Sequence, residues 1–136
     1  MTGGGWILAP TGSCTGLGTT YSCSPTLTGK ATFGFVSKYK KGATAPEGNT
    51  EFQFHAAGLN FKSTAYEWLV VAGTKAQFKG SGTINGTGSY TFQLFANDNT
   101  GTDEFRIKIW ETVSETMIFD NNSEQGISGG SIVVHK

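Results

Sequence analysis

The chain has 136 residues and balances ten Lys+Arg against ten Asp+Glu. Nothing in its totals therefore draws it onto nucleic acid or an anionic membrane. Hydrophobic residues at 37%, with 12% aromatics, exclude a disordered chain, and no run approaches the roughly 20 apolar residues that cross a bilayer. The length predicts one domain over 1–136 with one core, and the 20 glycines are expected in turns.

The chain opens Met1, Thr2, three glycines and Trp6, with neither the basic region nor the apolar run of a signal peptide. A first strand is expected at Gly5–Leu8. Cys14 and Cys23 follow in a Thr/Ser/Gly-rich loop, and a lone pair so separated suits a disulfide better than a four-ligand metal site. Such a bridge forms only in an oxidising compartment, whereas free thiols would remove this reason to expect export.

From Ala31 the apolar residues recur at every second position. Phe33 and Phe35 share one face of Ala31–Lys38, and Lys40–Asn49 reads as an exposed loop. Phe52 and Phe54 then alternate with Glu51, Gln53 and His55. Strands are expected at Leu59–Lys62, Glu67–Ala72 and Thr74–Thr83, the last turning through Asn85-Gly86. That pair supplies the two positive-φ residues of a type I′ hairpin, so Gly88–Ala96 should return along Thr74–Thr83. Tyr90, Phe92 and Leu94 alternate with Thr91 and Gln93, and Phe105, Ile107 and Ile109 with Glu104, Arg106 and Lys108. A second meander runs to Met117–Phe119, and Ser131–His135 closes the chain. Roughly ten short strands without a helical pattern predict an all-β fold, an antiparallel β-sandwich or jelly-roll.

Chemistry is sparse. No nucleophile elbow, phosphate loop or zinc-protease motif occurs, and His55 and His135, the only histidines, read as surface residues, so no enzyme is expected. Asn97, Asp98, Asn99, Asp103 and Asp120 form the densest set of oxygen ligands. A hard cation such as calcium takes ligands of this kind, but the same residues dominate turns, and both readings stand. Trp110, Trp68 and Tyr66 are candidates for a sugar-stacking platform. Trp110 in particular falls on the Arg106/Lys108 side of its strand, opposite Phe105, Ile107 and Ile109. Lys38, Lys40 and Lys41 read as a solvated loop. Lys30 with Asn121 raises an isopeptide cross-link, and Asn85 and Asn121 each open a glycosylation triplet. Glycine runs flank both terminal strands, which would pair within their own sheet or add to the edge of a neighbouring copy.

Six segments carry a family likeness: Thr2 to Ile7, Leu27 to Gly42, Gly80 to Tyr90, Asp103 to Trp110, Phe119 to Asn121 and Gly129 to Lys136. Together they resemble a glycine-rich β module found at the C-terminal end of long secreted bacterial proteins, after immunoglobulin-like or hyalin-type surface repeats. The resemblance implies an extracellular, modular setting with neighbouring domains as partners and no established catalytic role. The insert bearing Cys14 and Cys23 and the short Asn97–Asp103 loop depart from that pattern, so a function on either would belong to this chain. The expected function is a non-catalytic structural or adhesive module. Polysaccharide binding is the alternative and self-association into a filament a further one; nucleic acid and membrane insertion are not expected.

Overall fold

Period-two alternation requires one wet and one dry side on every strand, and the structure shows how the dry sides meet. The computed structural model describes residues 1–15, 20–39, 41–42 and 46–134. His135 and Lys40 lie outside the described residues, as does part of the expected Lys40–Asn49 loop. The strands are β1 (Thr2–Ala9), β2 (Gly29–Lys38), β3 (Glu47–Phe54), β4 (Leu59–Ala72), β5 (Lys75–Ile84), β6 (Thr87–Asn97), β7 (Glu104–Glu111), β8 (Met117–Asp120), β9 (Gln125–Gly126) and β10 (Gly129–Val133). One turn of 3₁₀ helix, His55–Ala57, joins β3 to β4.

All ten belong to one antiparallel sheet in the order β10-β1-β2-β3-β4-β5-β6-β7-β8, with β9 paired to β7. From β1 to β8 every spatial neighbour is also a sequence neighbour. This single meander folds over on itself. Phe33 of β2 stacks on Phe105 of β7 with centroids 4.0 Å apart, although β3 to β6 lie between them in the sheet. Phe52 and Phe54 of β3 meet Phe119 of β8 at 4.7 and 5.5 Å, and Phe35 meets Phe78 of β5 at 5.8 Å. The two arms of the sheet thus form the layers of a sandwich whose largest fully buried side chains are mostly phenylalanine.

The bend needs β4. Sequence alternation predicts two strands there, Leu59–Lys62 and Glu67–Ala72; the structure has one strand of 14 residues with register shifts at Ser63/Ala65 and Tyr66/Trp68. Bulges of this kind turn a strand and add twist. They also interrupt the alternation, which is why the sequence reads as a gap. The glycines depart from expectation as well, since several lie inside strands. A Cβ on Gly3 would stand 2.5 Å from the ring of Phe35, and one on Gly82 2.5 Å from that of Phe61. The rings of adjacent strands occupy the space the glycines leave.

The hairpin expected at Asn85-Gly86 is present, with φ of 52° and 79°. Asn85 also ties down a loop: its Oδ1 accepts the Asn60 N–H at 3.0 Å, and its Nδ2 donates to the carbonyls of Gly58 (3.0 Å) and Thr20 (2.8 Å). Both sheet edges are covered. Along β8, the Thr15 N–H donates to Ile118 O (2.9 Å) and the Asp120 N–H to Ser13 O (2.8 Å), and this covering loop is closed by the Cys14–Cys23 disulfide, Cα–Cα 5.0 Å. Along β10, the outward N–H groups of Ile132 and Val134 donate to Asp103 Oδ2 (2.9 Å) and Asp98 Oδ2 (3.1 Å). β1 pairs inside its own sheet, between β10 and β2.

Candidate binding face

Cross-strand register determines which side chains share the outer surface of β4 to β7. One row runs Trp68, Lys79, Gln93, Lys108; the next runs Val70, Gln77, Phe95, Arg106. Trp110 stands beyond the first row, opposite Thr91 on one side and Met117 on the other. Their inward neighbours Phe78, Phe92, Leu94, Ile107 and Ile109 are buried, so the alternate residues must face out. Three large rings, Trp68, Phe95 and Trp110, are consequently held on one exterior surface.

Cations and amides separate the rings. Lys79 Nζ lies 5.9 Å from the centre of the Trp110 ring and 3.9 Å from a Glu67 carboxylate oxygen. The Arg106 guanidinium and Lys108 Nζ each stand 5.9 Å from the centre of Phe95. Arg106 makes a bidentate pair with Asp120 at 3.1 and 3.0 Å, and those hydrogen bonds raise its pKa. Gln93 Nε2 donates to Gln77 Oε1 at 2.9 Å. Two shallow depressions of about 300 Å³ open here, one bounded by Gln93, Lys108, Trp110, Glu115 and Met117, the other by Val70, Ala72, Lys75, Gln77, Phe95 and Glu124.

Of the three rings proposed from sequence, Trp110 and Trp68 share this face and Tyr66 does not. The register shift at Tyr66/Trp68 sets Tyr66 opposite Gly80 and Trp68 opposite Lys79, adjacent residues of β5 that point to opposite sides. Tyr66 turns inward onto Phe78 (5.1 Å) and Phe92 (5.9 Å), and its hydroxyl contacts Thr50 Oγ1 (2.6 Å) and Val36 O (2.9 Å). Burial raises its pKa. Phe95 takes its place on the face. Its signal was present in the sequence, since Phe95 follows Thr91 and Gln93 on the polar side of β6, as Trp110 follows Arg106 and Lys108.

The proposed oxygen ligands are dispersed. Asp120 lies on β8 opposite Lys108 and pairs with Arg106, apart from the 97–103 loop. The buried Asn97 accepts from Thr74 Oγ1 (2.9 Å) and donates to Glu104 (2.9 Å). Asn99 Oδ1 accepts the Thr100 N–H, while Asp103 Oδ1 accepts the Asn99 N–H (3.1 Å) in addition to the Ile132 N–H on its other oxygen. Among the described residues no group of three or more His, Cys, Asp or Glu stands placed to hold a metal. Asn121 is fully buried, with Oδ1 accepting the Ile107 N–H and Nδ2 donating to Phe105 O, while Lys30 Nζ lies 4.8 Å over the Trp6 ring. Those contacts account for both partners of the isopeptide pair considered from sequence. No protein-family model, curated protein or solved structure matches the chain.

Proposed function

We propose that this chain is a non-catalytic adhesive β module of an exported protein, presenting the outer face of β4 to β7 to its target. One observation carries the reading: Trp68, Phe95 and Trp110 are kept outside on one surface while the interior is filled by other aromatic rings. All three rings are half-buried there, so each still leaves apolar surface in water that a stacking ligand would cover. The disulfide suits an oxidising compartment. The resemblance to secreted C-terminal modules supports a place beside surface repeats.

The test is sedimentation of the purified chain with insoluble cell-envelope and extracellular-matrix material. The wild type is expected to pellet. The triple variant Trp68→Ala, Phe95→Ala, Trp110→Ala should stay in the supernatant with an unchanged β-type circular dichroism spectrum. Equal pelleting of a folded triple variant would overturn the assignment.

A further inference from the structure

Resting on the reading of this face as the recognition surface, we infer that its ligand is an extended, uncharged polysaccharide lying along the strands from Phe95 to Trp110. Spacing is the first reason. Phe95 opposes Arg106, and Trp110 is four residues further along β7, so the two rings stand about 14 Å apart at the usual strand rise. That exceeds the width of one pyranose ring. A ligand that stacks on both must be a chain of several sugars.

Chemistry is the second reason. A protein partner favours a centre depleted of lysine and carboxylates, but here Lys79 and Lys108 stand among the rings with Gln77 and Gln93. Flat rings alternating with hydrogen-bonding groups match a sugar polymer, whose faces carry C–H groups and whose edges carry hydroxyls. The Gln77–Gln93 bond uses one donor and one acceptor, leaving the Gln77 N–H₂ on β5 beside Phe95 and the Gln93 carbonyl oxygen on the stretch from Phe95 toward Trp110.

Charge is the third. Lys79 is paired with Glu67, Arg106 with Asp120 and Lys75 with Glu124, while Lys108 and Glu115 border the same depression. Cations and carboxylates balance across the face. A polyanion gains little from such a surface, and a neutral chain meets no uncompensated charge.

Affinity electrophoresis of the intact chain through gels containing mixed-linkage β-glucan, xylan, galactomannan or soluble starch tests this, followed by calorimetry with the matching oligosaccharides. At least one neutral polymer should retard the protein, with affinity rising from disaccharide to hexasaccharide. Phe95→Ala and Trp110→Ala should each weaken binding about tenfold, whereas Trp6→Ala, on the other layer, should bind as wild type does. Polygalacturonate or heparin binding more tightly than any neutral polymer would overturn the inference. So would full affinity for a monosaccharide, no effect of Phe95→Ala, or no retardation by any of the four. Periodate oxidation of the matrix separates this from the broader reading. Adhesion that depends on the three rings but survives periodate sinks the polysaccharide and points to a protein surface or a second copy of the chain, leaving the adhesive role standing.

Discussion

Gly80 lies in the middle of β5, on its inward side, opposite Tyr66. A Cβ there would stand 2.2 Å from the carbonyl oxygen of Ala65, 3.0 Å from Tyr66 Cα and 2.9 Å from the ring of Phe92. Two of those obstacles are backbone, so no rotamer relieves them and β4 must retreat. Gly80→Ala is expected to destabilise the fold by about 1–3 kcal/mol, the range for overpacking in a filled core. The retreat falls on the bulge that swings Trp68 outside, so the variant should also weaken adhesion. Gly34→Ala is the control: the position is mid-strand in β2, and an added Cβ would have no atom within 4 Å. That methyl mainly removes freedom from the unfolded chain and should stabilise by about 0.4–1 kcal/mol. Urea unfolding followed by tryptophan fluorescence separates the two, because with m of about 1–3 kcal/mol/M the midpoints should move in opposite directions by a readable fraction of a molar. Coincident midpoints, or Gly34→Ala as the less stable variant, would refute the packing logic.

Three further outcomes are expected. Replacing Asp98 and Asp103 by alanine strips the acceptors from the Ile132 and Val134 N–H groups and exposes an edge able to pair with another chain. Light scattering should then show concentration-dependent association that the wild type lacks, and identical traces would mean that the carboxylates do not guard this edge. Reducing Cys14–Cys23 should cost about 2–3 kcal/mol by the chain-entropy estimate for a loop this short and loosen the cover over β8; a urea midpoint unmoved by dithiothreitol would contradict that. Tyr21 and Tyr66 have pKa values raised above 10.0, in each case chiefly by burial. Their folded values exceed their unfolded ones, so their contribution is complete below pH 10.0 and lost as pH climbs through the folded values. Alkaline unfolding should coincide with their ionisation. Tyrosinate absorbance that reaches its full value while the β spectrum persists would show the burial to be unimportant.

Much of this was legible in the chain because antiparallel strands with one wet side write their geometry as alternation. Phe33, Phe52, Phe92 and Phe105 point inward as their spacing requires, Asn85-Gly86 turns as its φ preferences dictate, and the Cys14–Cys23 pairing followed from composition and spacing. Trp110 was identified as an outward ring by parity alone. The same rule applied to Phe95 would have found the second ring of the face.

What failed was parity across an irregularity. Tyr66 and Trp68 are two residues apart and in a regular strand would share a side, yet the register shift between them sends one into the core and the other to the surface. Its cause lies on β5: only where Gly80 presents no Cβ does the Ala65–Tyr66 backbone come this close. The roles of Asp98 and Asp103 were hidden for a similar reason, since the N–H groups they accept lie just after the last strand and within it, 36 and 29 residues later in sequence, and nothing local separates an edge cap from a cation ligand. Single-strand periodicity reads contacts made perpendicular to the sheet, whereas bulges and edge caps arise within its plane, between strands. The glycines set at alternate inward positions of β5, Gly80 and Gly82, are an in-plane signal that the sequence carries. They mark where the neighbouring strand must come close, and hence where its alternation cannot be carried through.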